Sequence, residues 1–257
     1  MRIQNKTTTS GEIADAIMEM ADEHQASHLM RFFKTGKGQY GEGDRFLGLR
    51  CPQTRMVVKE ARLTVPLPEI EKLLYSEWHE IRLAGFLLLV EEMKAALPRR
   101  KESPAAKATR RDEIAAFYLR HAPQANNWDL VDLTCPKILG EWLLHPSASG
   151  QLPDRRILDR LADSDCLWEQ RIAIVTTWRL IKEYQFDEAL RLSARFLNHP
   201  HDLIHKATGW MLREVGKKNI SELRRFLDAH CTEMPRTALR YAIEKMTDSE
   251  RRQWLTR

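Results

Sequence analysis

The stretch Asn127-Trp128-Asp129-Leu130-Val131-Asp132 holds the residues best suited to chemistry. Asn127 is a good helix N-cap, since its side-chain oxygen can accept a bond from a first-turn amide. In the helix that follows, Trp128 and Asp132 stand four apart and share one face. An indole and a carboxylate on one wall attract a cation, the ring by its quadrupole and the acid by its charge. The plainer alternative is a core tryptophan beside a surface acid, and spacing alone leaves both open.

Other suggestive patterns carry less. Gly36-Lys37-Gly38-Gln39-Tyr40-Gly41 contains a GxGxxG, but it follows a helix ending near Phe33 where a nucleotide-binding loop would follow a strand. A flexible loop is the favoured reading, with amides that could still touch a phosphate. His201 and His205 lie four apart beside His199, a spacing open to a metal, yet no HExxH glutamate accompanies them. Capping or solvated histidines fit better, and no metal site is expected. The pairs Arg155-Arg156, Arg224-Arg225 and Arg251-Arg252 read singly as solvated helix faces. Their recurrence keeps a polyanion in view.

Helices must position these residues. Thr9 and Glu12 form a capping box opening an amphipathic segment through Met30. Cys51-Pro52, Leu67-Pro68, Ser103-Pro104 and Met234-Pro235 put proline where a first helical turn tolerates it. Asn219 with Glu222 marks another start, and Gly216 a helix stop. Alternating β-branched runs are missing, so the fold class is all-α. Three stretches repeat one pattern, in which a short apolar helix ends, a polar break follows, and a second helix carries a basic residue near its start. They lead into Arg82, Arg171 and Lys206, with a weaker instance into Trp128. Helix pairs at intervals of about 40 residues indicate a HEAT-like solenoid with a concave basic groove. Pro98 to Lys107 reads as an exposed basic connection inside it. No boundary splits the chain, so residues 1–257 are expected to form one domain.

Composition narrows the partner. With 43% apolar and 30% charged residues over 257 positions, the chain is globular, with no disordered composition. Neither export nor membrane insertion is expected, and four scattered cysteines without a CxxC pair suit reduced thiols in the cytoplasm. The net charge of +5 permits a nucleic-acid partner, but it is spread along the chain, so folding must assemble any basic patch.

Residue identities add a resemblance. Its segments are 46–52 (Phe-Leu-Gly-Leu-Arg-Cys-Pro), 128–132 (Trp-Asp-Leu-Val-Asp), 168–174 (Trp-Glu-Gln-Arg-Ile-Ala-Ile), 205–214 (His-Lys-Ala-Thr-Gly-Trp-Met-Leu-Arg-Glu) and 234–241 (Met-Pro-Arg-Thr-Ala-Leu-Arg-Tyr). Individually modest, in order they are specific, and the chain resembles the bacterial AlkD-type alkylpurine DNA glycosylases built from HEAT-like repeats. The resemblance implies excision of cationic N3- or N7-alkylated purines from duplex DNA without drawing the base into a deep pocket. A base that is already cationic is an activated leaving group and requires no metal or cofactor, and a monomer is the simplest expectation for a solenoid acting on duplex DNA. Asp132 would be the catalytic carboxylate, Trp128 and Trp210 the aromatic walls, and Arg171 a phosphate anchor, with Lys206 and Arg213 as further DNA-binding residues. Asn127 departs from the family pattern, which commonly carries a second aromatic before the tryptophan. Asp132, Arg171 and Trp210 fall on successive repeats, so their convergence with Trp128 is expected. A non-catalytic binder of damaged or branched DNA and a protein-interaction scaffold remain the alternatives.

Overall fold

The computed structural model describes residues 7–98 and 104–257. Thr9 accepts from the Glu12 amide while the Glu12 carboxylate accepts from the Thr9 amide, and this capping box starts α1 (Ser10–Met18). The helix does not run on to Met30 as its periodicity suggests. It stops, and Asp22 caps a second helix, α2 (Glu23–Phe32), by accepting from the Gln25 amide at 2.9 Å. A second acceptor residue in mid-segment is enough to restart the chain in a new direction. After a glycine-rich loop come α3 (Cys51–Ala61), α4 (Leu67–Leu74) and α5 (His79–Ala96), the first two with proline in the first turn. Helix α6 (Pro104–Arg120) and α7 (Trp128–Cys135) follow.

A wide turn at Pro136–Gly140 leads into α8 (Glu141–Leu144). Then come α9 (Arg156–Ala162), α10 (Leu167–Lys182), α11 (Asp187–Arg195) and α12 (Asp202–Lys218). The chain ends in α13 (Ile220–His230), α14 (Arg236–Ala242) and α15 (Asp248–Thr256). Among the described residues there is no strand, only an isolated parallel bridge between Arg45 and Trp78. The fold is all-α. Its repeating unit is a short helix followed by a long one, as in α4/α5, α9/α10 and α11/α12, which is how helical-repeat solenoids are built.

Two compact units share the chain, Met1–Thr134 and Cys135–Arg257. In the first, α5 is buried on every side, from His79 through Val90 without a break. Such a helix has no solvent face to present and must be the centre of its unit. In the second, Leu212, Leu223, Leu227, Leu239 and Ile243 form the heart of an apolar cluster closed by Trp254. Gly216 lies inside α12 and does not end it. A Cβ there would overlap Leu223, so the glycine lets α12 and α13 approach closely. Asn219 makes the next start, accepting from the Ser221 and Glu222 amides.

Of the connection read at Pro98–Lys107, residues 99–103 lie outside the described ones. Lys107 already belongs to α6, where its ammonium donates to the Leu97 carbonyl at 3.1 Å. No helix of the described residues is long and apolar enough to cross a membrane.

Candidate active site

Helix α7 is short, so its placement depends on what holds its first turn. Asn127 is fully buried, and its Oδ1 accepts from the Trp128 amide at 2.9 Å. Its Nδ2 donates to Asp44 Oδ2 at 3.3 Å. The next residue but one, Asp129, accepts from His79 Nε2 at 2.9 Å, while His79 Nδ1 donates to Asp44 Oδ2 at 2.8 Å. Arg82 completes the cluster, donating to Asp44 and, at 2.8 Å, to the Ser76 carbonyl. Asp44, His79 and Arg82 are all buried.

Burial alone would drive the His79 proton off. The Asp129 and Asp44 carboxylates outweigh that and raise its pKa to about 9. Burial likewise pushes Asp44 up, yet its bonds and charge contacts with His79 and Arg82 bring it below the ordinary carboxylate value. At neutral pH the cluster therefore holds a protonated imidazole between two carboxylates. Removing one member of a buried charge set of this kind is strongly destabilising, because the others are left uncompensated.

The same imidazole is the end of a ring column. His79 stacks on Phe46 at 4.3 Å between centroids, Phe46 on Phe33 at 4.9 Å, and Phe33 on Trp128 at 5.2 Å with an interplanar angle of 19°. Phe32 meets the indole edge-on at 6.0 Å. Trp128 is thus half-buried, with one ring face used by the protein. Asp132, one turn on, is half-buried too, while Leu130, Val131 and Thr134 face the core. The indole and the carboxylate share the outward side of α7.

Phe46 sits in a loop that Glu80 holds. This buried carboxylate accepts from the amides of Leu47, Gly48 and Leu49 at 2.9, 2.8 and 3.1 Å. Gly48 has φ +97, and a Cβ there would overlap the Asp22 carbonyl oxygen. Only glycine fits. The Gly36–Gly41 loop is satisfied internally, with Gln39 Oε1 accepting from the Gly36 amide at 3.1 Å and Glu42 Oε2 from that of Gly38 at 2.7 Å. It follows a helix, as expected of a plain loop.

In the second unit α10 packs on α12. Arg171 is buried on α10, and its Nη1 donates to the Leu203 carbonyl in the first turn of α12 at 2.5 Å. Lys206, Trp210 and Arg213 follow at positions i, i+4 and i+7 of α12, all half-buried, on the side away from buried Ile204, Ala207, Met211 and Leu212. The structure therefore gathers Trp128 with Asp132 on one helix, and Arg171 with the Lys206–Trp210–Arg213 stripe on a helix pair. Lys206 is ion-paired with Asp202 at 2.8 Å and Arg213 with Glu244. A phosphate approaching either would compete with a carboxylate already in place.

One basic residue of the repeat pattern acts differently from that pattern. Arg82 is a buried tie of α5, not a groove cation. The histidines cap: His201 Nδ1 accepts from the Leu203 amide at 3.1 Å, and His199 Nδ1 from that of His201 at 3.0 Å. Among the described residues no group of three or more acidic, histidine or cysteine side chains is placed to hold a metal. Arg156, Arg224, Arg225 and Arg251 each pair with a nearby acid, as solvated helix faces do. The sequence reading missed the brace of Asp44, His79, Glu80 and Asp129. A signal existed in Asp129, an acid between the two residues of interest, but its partner His79 lies 50 positions away.

A family model described as DNA alkylation repair enzyme matches residues 13–246. Among solved structures, one titled a predicted DNA alkylation repair enzyme from Enterococcus faecalis is similar, with a TM-score of 0.66 and 19% identity. The match covers 89% of this chain and 97% of that one, and at such identity it speaks for the fold. No curated protein matches.

Proposed function

The chain belongs to the DNA alkylation repair enzyme family, and from that premise we propose that it is a DNA glycosylase releasing positively charged N3- or N7-alkylated purines. One observation carries the reading: Trp128 and Asp132 share the outward side of a helix whose start is locked by the His79 cluster. A surface that only held DNA would have little use for a carboxylate at its aromatic wall.

The alkylated purine is already cationic and so an activated leaving group. The bond from C1′ to the base nitrogen breaks, its electron pair stays with the purine, and the base departs neutral. Positive charge develops on the sugar, as in glycoside hydrolysis. Asp132 faces that charge and stabilises it electrostatically. It also orients a water, whose oxygen bonds to C1′ and whose proton is lost, giving an abasic site. The exposed parts of the Trp128 and Trp210 rings attract the cationic nucleotide, each by about 0.5 to 2 kcal/mol. Lys206 and Arg213 contact phosphates, while Arg171, buried with its guanidinium on the Leu203 carbonyl, holds the start of the helix that carries them. The chemistry asks for no metal, and a monomer suffices.

Two assays on one substrate separate the readings. Duplex DNA carrying N7-methylguanine should be bound with a salt-dependent affinity and should release the free base. Binding without release would favour a non-catalytic DNA binder, and neither would favour a protein-interaction scaffold.

A further inference from the structure

Among the described residues many arginines pair with the chain's own acids, as Arg110 does with Glu92 and Arg179 with Glu141. Others have no such partner, and three of these cations stand together along α3. Arg55 and Lys59 of α3 and Arg62 just past its end are exposed, and among the described residues none has a carboxylate within ion-pairing distance. They recur at i, i+4 and i+7, hence as one stripe about 10 Å long. The stripe borders a groove of about 220 Å³ between α3 and α5, floored by Val58, Leu87 and Val90 and edged opposite by Lys94. A second hollow of about 260 Å³ shares Arg62 and Lys94 and prolongs it past Leu63. The one acid inside, Glu91, stands 3.7 Å from Lys94, so four cations face one carboxylate.

We propose that this α3–α5 groove is a second DNA contact, taking the sugar-phosphate backbone away from the lesion. Leu87 lies eight residues and Lys94 fifteen beyond His79 along α5, or about 12 and 22 Å at the helical rise, so the groove starts well away from the Trp128 face. A strand carries one phosphate per 3.4 Å of duplex axis, so 10 Å of stripe spans about three phosphates. Exposed cations without partners displace the counterions condensed on a polyanion and have no internal pair to break. The shallow apolar floor suits deoxyribose faces, and nothing in it reads a base. The contact is therefore independent of sequence.

The inference rests on the chain being a DNA-binding repair protein, and one experiment distinguishes the two. Affinity for unmodified duplex DNA is measured against salt for the native chain, for Arg55→Gln/Lys59→Gln/Arg62→Gln, and for a charge-matched control, Lys72→Gln/Arg156→Gln/Arg225→Gln. The control residues are exposed but ion-paired. The groove variant should lose about one unit of log–log salt slope per cation, about three in all, and bind more weakly at every sequence. The control should keep its slope within about one unit. Equal losses in both would reduce the effect to net charge and overturn the site. An unchanged slope, with an acidic peptide bound by the native chain but not the groove variant, would reassign the groove to a protein partner. No DNA affinity in the native chain would instead remove the DNA-binding premise, and the inference with it. Unchanged circular dichroism in each variant guards against misfolding.

Discussion

The buried His79 makes a quantitative demand on stability. Its pKa is raised from 6.5 to about 9 in the folded chain, first against burial and then by Asp129 and Asp44. Holding a histidine there favours the protonated folded form by about 3 kcal/mol. Because the folded pKa lies above the unfolded one, this stabilisation is whole below pH 6.5. It is lost as the pH rises through about 9, with about 2 kcal/mol disappearing between pH 7 and 9. Urea unfolding at pH 7, 8 and 9 should show it as a midpoint falling by about 1 M, taking a slope of about 2 kcal/mol per molar. His79→Gln keeps hydrogen-bonding groups but no charge. It should be less stable at pH 7 and should lose far less than the native chain on going to pH 9. Titrating groups that do not touch His79 are common to both proteins and cancel in the difference. Parallel pH dependences in the two would refute the charged cluster as described.

Two further changes test separate parts. Gly48→Ala meets both a φ of +97 and the Asp22 carbonyl, and should cost about 3 kcal/mol or more, read as a fall in melting temperature of several degrees. Trp210→Ala should lower kcat/KM for a cationic lesion about tenfold, the equivalent of about 1.4 kcal/mol, and much less for a neutral leaving base.

What could be read from the sequence was local. Thr9, Asn219 and the prolines of α3 and α4 announce their helices because a cap acts within three residues of itself. Asn127 was legible as the start of α7 for the same reason. Gly216 misled, since a glycine that permits close packing looks like one that ends a helix until Leu223 is seen beside it. The break at Asp22 was missed although it was marked locally: Asp22 is an N-cap type, and the buried positions of α1 (Ile13, Ile17) and of α2 (Ala26) fall on opposite helical phases. The departure at Asn127 also acquires a reason. Its side chain is wholly buried and spent on Asp44 and the Trp128 amide, so it braces the wall and contributes no surface.

The site was legible as residue types, not as a structure. Trp128 and Asp132 share a face by spacing alone, but Phe33, Phe46 and His79, which orient the indole, come from two distant segments. The basic residues of the repeat pattern divide by burial. Arg82 and Arg171 turn inward to carbonyls, whereas Lys206 stays at the surface with Asp202. Nothing in a one-dimensional pattern separates those uses.

The most direct test is single-turnover release of free 7-methylguanine from a duplex with one such lesion, by the native chain and by Asp132→Asn at saturating protein. Removing the charge without changing the shape should leave DNA affinity nearly intact and slow release about 100-fold or more, comparable to losing one electrostatic group at a reacting centre. Equal release by both proteins, or none by the native chain, would contradict Asp132 as the catalytic carboxylate.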